Sequence, residues 1–330
     1  MFYQMERCVQ FLRMEEMNMK KRTSGIHHIT AIVGHPQENV DFYAGVLGLR
    51  LVKKTVNFDD PGTYHLYFGN EGGEPGTIIT FFPWPAAYKG SIGDGQVGVT
   101  TYVVPVGALG FWKDRLTKLN ILYNEVSRFG ESYLRFDDPH GLHLEIVERD
   151  GGSPNGWTFG GIPADVAIKG FGGAILYSSQ PEETIRTLVD VMGLEEIGRE
   201  GDFVRLKATA SIGNIVDVKM SVGNRGTMGV GTVHHIAWRA NDDQDHKEWQ
   251  QYAMDKGQHV TDIKDRNYFN AIYFREAGEI LFEIATDPPG FAHDETLETM
   301  GEQLKLPVQY EDYRERLENS LFPIKVRALD

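Results

Sequence analysis

Gly25-Ile26-His27-His28-Ile29-Thr30-Ala31-Ile32 returns late in the chain as Thr232-Val233-His234-His235-Ile236-Ala237-Trp238-Arg239. Both octets are short, apolar and rich in β-branched or aromatic residues, so each reads as a buried strand carrying a histidine pair at the same place. Behind the first comes Asn39–Leu49, with Val40, Tyr43, Val46 and Leu47 at helical spacing and Gly48 as a helix stop. Strand-like runs follow at Arg50–Val56, Thr63–Phe68 and Gly76–Phe82. The unit reads β-α-β-β-β.

That order recurs three more times. A second copy opens at Val97, continues through a helix near Leu109–Leu119 and ends at Leu142–Val147. A third opens at Gly170, has its helix at Pro181–Met192 closed by Gly193, and ends at Asn214–Met220. The fourth runs from Thr232 through a helix near Asp242–Lys256 to Gly278–Ala285. Units of roughly 50–60 residues are too long for most solenoid repeats and fit a supersecondary module. The expected division is an N-terminal extension at 1–22, modules one and two at 23–150, modules three and four at 165–288, and an acidic, partly helical tail at 289–330.

Strand geometry bears on the histidines. Successive side chains face opposite sides of a sheet, so one ring of each pair is expected on a given face, and a site with two histidines needs two modules. A carboxylate is expected on a last strand. Glu283 sits there among Ile280, Leu281, Phe282, Ile284 and Ala285, where an unpaired charge is expensive and a metal is one compensation. Aligning Gly76–Phe82 with Gly278–Ile284 sets Phe81 opposite Glu283. Modules two and three carry Val99-Thr100-Thr101 and Gly172-Gly173-Ala174 in place of the histidines and keep only Glu145 and Asp217. Modules one and four are therefore expected to share one metal-bearing cup.

Two imidazoles and one carboxylate leave about three open positions on a six-coordinate ion, which suits non-haem Fe(II). A closed structural zinc site would ordinarily use cysteine, and the sequence has one, Cys8. Catalytic Zn(II) on two histidines and a glutamate stays chemically open, as do Mn(II) and Ni(II).

Composition bounds the rest. At 330 residues, 41% apolar and 11% aromatic, the chain has material for about two ordinary domains. A net charge of −14 argues against a general nucleic-acid binder. No run approaches the roughly 18–20 apolar residues of a membrane span. The single cysteine fits a cytoplasmic location. The methionine-rich start reads as an extension, or as residues upstream of a natural start at Met17 or Met19.

His27-His28-Ile29-Thr30, Thr63–Gly69 with Pro75-Gly76-Thr77, His234-His235, Asp265–Phe269 and Gly290–Asp294 together resemble the hydroquinone ring-cleaving dioxygenases. These belong to the vicinal-oxygen-chelate (glyoxalase/extradiol dioxygenase) superfamily, and the likeness spans Gly25 to Asp294. It implies an α+β fold of four βαβββ modules in two cup-shaped mixed sheets, the glyoxalase/bleomycin resistance/dihydroxybiphenyl dioxygenase fold. It implies Fe(II), dioxygen and a hydroquinone-type aromatic opened beside a ring hydroxyl. Position by position, it makes His28, His235 and Glu283 the metal ligands. His27 and His234 stand beside them, and Thr30, Arg266 and Tyr273 line the substrate pocket. Hydrogen bonds to reacting oxygens are expected from Arg266, Tyr273 or His27. The chain departs from the pattern at Trp84–Ala87 and Lys264–Asn270, which leaves ring substituents open. So does the residue reading leave oligomeric state, a glyoxalase-like lyase or isomerase, and a resistance protein that binds a quinone or drug without turnover.

Overall fold

Each of the four modules closes on itself because its first and last strands lie side by side. In the computed structural model, which describes residues 20–329, module one comprises β1 (Ile26–Val33), α1 (Pro36–Val40), β2 (Arg50–Val56), β3 (Tyr64–Gly69) and β4 (Ile78–Pro83). Cys8 and the alternative starts Met17 and Met19 lie outside the described residues. Module two comprises β5 (Gln96–Val104), α2 (Leu109–Lys118), β6 (Tyr123–Arg128), β7 (Glu131–Asp137) and β8 (His143–Glu148). Module three comprises β9 (Gly170–Tyr177), α3 (Pro181–Asp190), β10 (Glu195–Glu200), β11 (Phe203–Lys207) and β12 (Ile215–Lys219). Module four comprises β13 (Thr232–Ala240), α4 (Asp243–Asp255), β14 (Lys264–Asp265), β15 (Asn270–Arg275) and β16 (Leu281–Thr286). The helix lets the chain return so that first and last strands pair in parallel, as β1 does with β4 and β13 with β16.

Two eight-stranded mixed sheets result, so the architecture is α+β. One runs β14-β15-β16-β13-β1-β4-β3-β2, joining modules one and four. The other runs β10-β11-β12-β9-β5-β8-β7-β6, joining modules two and three. The joints are antiparallel pairs of first strands, β1 with β13 and β5 with β9.

The helices cover the apolar faces. Trp112 and Leu116 of α2, Ile185 and Leu188 of α3, and Trp249 and Ala253 of α4 are buried in one core that runs through all four modules. Asp242 caps α4, accepting from the backbone N–H of Gln244 and Asp245 at 2.9 and 2.8 Å. Helix one departs from the regular helix its spacing predicts. After Val40 it continues as a π-helical turn, Asp41–Val46, and closes with the Leu49 N–H on the Tyr43 carbonyl at 3.0 Å. Gly48 ends it at φ +70°, a left-handed conformation that favours glycine, and a Cβ there would crowd the end of the Ile162 side chain at 2.5 Å.

The acidic tail does more than fray. Lys53 is fully buried on β2, with Asp294 and Glu295 each 2.5 Å from its Nζ. Tyr268 donates to Asp294 at 2.9 Å, and Phe291 and Met300 pack beside Tyr67 and Tyr268. The tail thus fills one end of the first cup. Its last helix, α5 (Arg314–Ser320), packs through Leu317, in keeping with the partly helical tail expected at 289–330. No helix among the described residues is long and apolar enough to cross a membrane.

Candidate metal centre and substrate cavity

The joint between β1 and β13 is irregular at both histidine pairs. Ile26 pairs with Trp238 and His28 with Ala237, so His27 is an extra residue on β1. Thr30 pairs with His235 and Ala31 with Val233, so His234 is an extra residue on β13. These are β-bulges, which locally suspend the strict alternation of faces. The expectation that only one ring of each pair reaches a given side therefore needs correction. His27 and His28 both pack on Phe269, with ring centroids 5.3 and 4.9 Å away, and His234 joins His235 in the cavity wall.

The two second histidines converge. His28 Nε2 and His235 Nε2 lie 3.2 Å apart, and Glu283 Oε2 lies 2.8 Å from His235 Nε2 and 3.5 Å from His28 Nε2. All three residues are buried, and Glu283 is fully so. Neither Glu283 oxygen has a satisfying hydrogen-bond donor. A buried carboxylate left in that condition, facing two imidazole nitrogens, has the donor set of a divalent cation site.

The rear nitrogens are also committed. His28 Nδ1 lies 2.9 Å from His27 Nδ1, and His235 Nδ1 lies 2.7 Å from His234 Nδ1. A neutral ring carrying its proton on Nδ1 donates it backward to the neighbouring histidine and keeps the Nε2 lone pair forward. Burial, then the adjacent His235, lowers His234 to about 3, which keeps it a neutral acceptor.

Register across the modules locates the third group. Ala237 pairs with Glu283 and Glu283 with Tyr273; in module one, Thr30 pairs with Thr80 and Thr80 with Tyr67. Thr80, not Phe81, is therefore the counterpart of Glu283. A one-residue slip moves a side chain to the other face, and Phe81 indeed points away from the cup, packed at 4.3 Å from Tyr43 in the core. The same register gives Glu145 beside Arg135 in module two and Asp217 beside Arg205 in module three. There Arg128 bridges the pair, reaching Glu145 at 2.6 and 2.9 Å and Asp217 at 2.7 Å. A guanidinium sits among the acids of the second cup, where the first cup sets two imidazoles.

A cavity of about 240 Å³ opens beside the triad and is walled by His28, His235, Glu283, His234, His65, Phe82, Trp84, Arg266, Phe269 and Tyr273, with the 57–60 turn at its mouth. Arg266 donates from Nε to the Tyr273 hydroxyl at 3.3 Å and pairs through Nη1 with Asp59 at 3.2 Å. Burial and Glu283 raise the Tyr273 hydroxyl far above its usual value, so it stays protonated. Thr30 does not reach the cavity: it is fully buried and bonded to Thr80 at 2.9 Å. A larger cleft, about 830 Å³, lies between Leu119–Asn124 and Arg135–His143 and holds none of the three convergent groups.

Comparison with known proteins gives the family. Residues 25–146 match the Glyoxalase/Bleomycin resistance protein/Dioxygenase superfamily. The chain is 69% identical over 312 residues to the Bacillus subtilis (strain 168) protein named "Putative ring-cleaving dioxygenase MhqO", covering 94% of this chain and 100% of that one. The chain is a ring-cleaving dioxygenase of this superfamily. A solved Bacillus subtilis structure, titled as a putative dioxygenase, superposes on this dioxygenase with a TM-score of 0.93 at 69% identity, covering 94% of this chain and all of that one. At 37% identity over 313 residues, covering 91% of this chain and 97% of the other, the dioxygenase also resembles the "Chlorohydroquinone/hydroquinone 1,2-dioxygenase" of Sphingobium indicum.

Sequence reasoning missed two residues of this dioxygenase's site and one that anchors the tail. His65 lies within the Thr63–Gly69 stretch, and a lone histidine in a strand carries no signal of its own. Asp59 sits in a turn whose approach to Arg266 is set by tertiary structure. Lys53 lies in an ordinary-looking Lys53-Lys54 pair; only the tail's return makes it buried.

Proposed function

We propose that this dioxygenase holds Fe(II) on His28, His235 and Glu283 and opens the ring of a hydroquinone-type aromatic, adding both atoms of dioxygen. The observation that carries the reading is the buried Glu283 carboxylate, unsatisfied by any donor and facing two Nε2 atoms at the floor of a small aromatic-lined cavity. The hydroquinone class rests on the named Sphingobium relative and on the size of the cavity, which suits one substituted benzene ring. When bound, such an ion supplies open positions for a phenolic oxygen and for dioxygen, and a path for electrons between them.

The protein's own groups divide the remaining work. His27 and His234 fix the orientation of the ligand rings from behind. Tyr273 remains a protonated hydroxyl directed at the site, and Arg266 is aligned beside it, so both can donate to oxygens that gain negative charge. Phe269, Phe82 and Trp84 exclude water from the reacting end and strengthen those hydrogen bonds.

The test is anaerobic reconstitution with Fe(II), followed by oxygen-electrode assays over hydroquinones and catechols. One dioxygen consumed per hydroquinone, with a ring-opened acid as product, is the expected result. Turnover of a hemithioacetal by the Zn(II) or Ni(II) form without oxygen uptake overturns it in favour of glyoxalase chemistry. Metal and quinone retention with no turnover at all would make the site a binding device.

A further inference from the structure

Across the first sheet the cup-facing groups run Tyr273 on β15, Glu283 on β16, His235 on β13, His28 on β1, Thr80 on β4, then His65 on β3. The two histidine strands, β13 and β1, are central, and Tyr273 and His65 each stand two strands out from them on opposite sides. By register the counterpart of Tyr273 is Tyr67, yet Tyr67 is fully buried and its hydroxyl is spent on His65 Nδ1 at 2.8 Å. The residue that β3 shows to the cavity is His65.

Both nitrogens of that ring are occupied. Nδ1 meets the Tyr67 hydroxyl, and Nε2 meets Thr80 Oγ1 at 2.8 Å, which in turn is tied to Thr30. The ring packs on Tyr67 at a tilt of 32°, with centroids 4.0 Å apart, and its centroid lies 4.5 Å from that of Phe82. A histidine so tied has no donor or acceptor left, so the surface it offers the cavity is aromatic carbon. We infer that His65 is a specificity-determining residue, a rigid aromatic wall that packs against the substrate ring opposite Arg266 and Tyr273. Thr80, Thr30 and Tyr67 are positioning residues that hold it. The inference names how the cavity recognises a ring and rests on the hydroquinone reading only for the choice of probe.

The experiment compares His65→Phe and His65→Ala with the native chain. Equilibrium binding of hydroquinone, methylhydroquinone and tert-butylhydroquinone is measured without oxygen on the Zn(II)-loaded protein, alongside metal content, melting temperature and aerobic turnover of the Fe(II) form. His65→Phe keeps a ring of similar shape without nitrogens and is expected to bind hydroquinone within about threefold of the native chain. His65→Ala is expected to lose about tenfold, a typical worth for one aromatic contact, and to lose less for the bulkier rings that fill the vacated space. Tyr67→Phe, which frees one anchor and leaves the ring in place, is a second route should His65→Ala not fold; a shift in preference among the three probes is expected. Equal weakening by Phe and Ala means the nitrogens act, and it overturns the inference, as does unchanged binding and unchanged preference in His65→Ala. His65-dependent binding in a protein that consumes no dioxygen leaves the inference standing and sinks the dioxygenase substrate reading. Native protein that binds none of the three probes overturns both.

Discussion

His27 and His234 are the same irregularity seen from two strands: each is the extra residue where β1 and β13 pair. The matching joint of the second sheet has the same two bulges, with Gly98 extra on β5 and Gly172 extra on β9. Bulges are thus a property of the module joint, and histidine fills them in one sheet only. A bulge re-aims its side chain, and here it sets one imidazole behind each convergent imidazole. Removing the rear ring should loosen the front one without deleting a ligand. His27→Ala and His234→Ala are expected to weaken Fe(II) or Zn(II) affinity by about tenfold to a hundredfold, read by competition with a chelator. Affinity unchanged in both would show that the rear rings do not orient the front ones.

Removing a convergent group itself should be more severe. His28→Ala, His235→Ala and Glu283→Ala are each expected to abolish stoichiometric metal by elemental analysis of folded protein. The second cup gives the control. Glu145 is fully buried and accepts from Thr101, Arg128 and Arg135, so truncating it takes a carboxylate partner from two guanidinium groups, one of them buried. Loss of a buried partner costs about 3–5 kcal/mol. Glu145→Gln and Asp217→Asn, which keep shape, are the fair comparison: lower melting temperature, metal content near normal. Metal loss in Glu145→Gln equal to that in Glu283→Gln would refute the assignment of the ion to the first cup.

How much of this was legible beforehand follows from what each feature depends on. The modules, their order and the pairing of the first with the fourth could be read because histidine pairs, helical spacing and Gly48 are local signals. The position of Thr80 could not, because an apolar run such as Thr77–Phe82 gives no clue to register; a slip of one residue is invisible until strands pair. Bulges escaped for the same reason. Lys53 and His65 take their character from partners far along the chain, Asp294 and Glu295 for one and the cavity for the other.

Lys53 should report on the tail. Its ammonium is fully buried between Asp294 and Glu295 and lies 5.0 Å from the Tyr268 ring. Lys53→Met leaves Glu295 buried without its cation and is expected to cost about 3–5 kcal/mol. The triple variant Lys53→Met, Asp294→Asn, Glu295→Gln should recover part of that in chemical denaturation. Because Tyr268 precedes Phe269, which packs on His28, the single variant should also release metal faster. A triple variant no more stable than the single would mean that lost packing, rather than stranded charge, sets the cost.

Acid should act on the metal-free protein through His65. Burial first, then His28 and His235, hold this imidazole well below its ordinary value, so the folded state takes up its proton less readily than the unfolded chain. The unfolded form binds more protons as pH falls below about 6.5, so stability from this group is present above that pH and lost beneath it. His65→Phe cannot titrate. Its melting temperature should fall less steeply than that of the native chain between about pH 6.5 and 5, and identical slopes would remove His65 from the acid response.

Tyr273 tests the chemistry most directly, because it can be altered without touching a convergent ligand. Its hydroxyl lies within reach of Arg266, its ring is 5.8 Å from that of His235, and burial with Glu283 nearby keeps it protonated. A protonated hydroxyl at a largely buried site is worth most where an oxygen gains charge during the reaction, and little where substrate merely binds. Tyr273→Phe is therefore expected to keep metal content and hydroquinone affinity near normal while lowering kcat by roughly tenfold to a thousandfold. Arg266→Lys retains the charge but gives up the planar fork and should fall between the two. Asp59→Asn, which releases Arg266 from its ion pair at the mouth, should change KM more than kcat. If Tyr273→Phe instead raises KM with kcat intact, its hydroxyl holds the ground-state substrate, and the donor to the developing charge must be sought at Arg266.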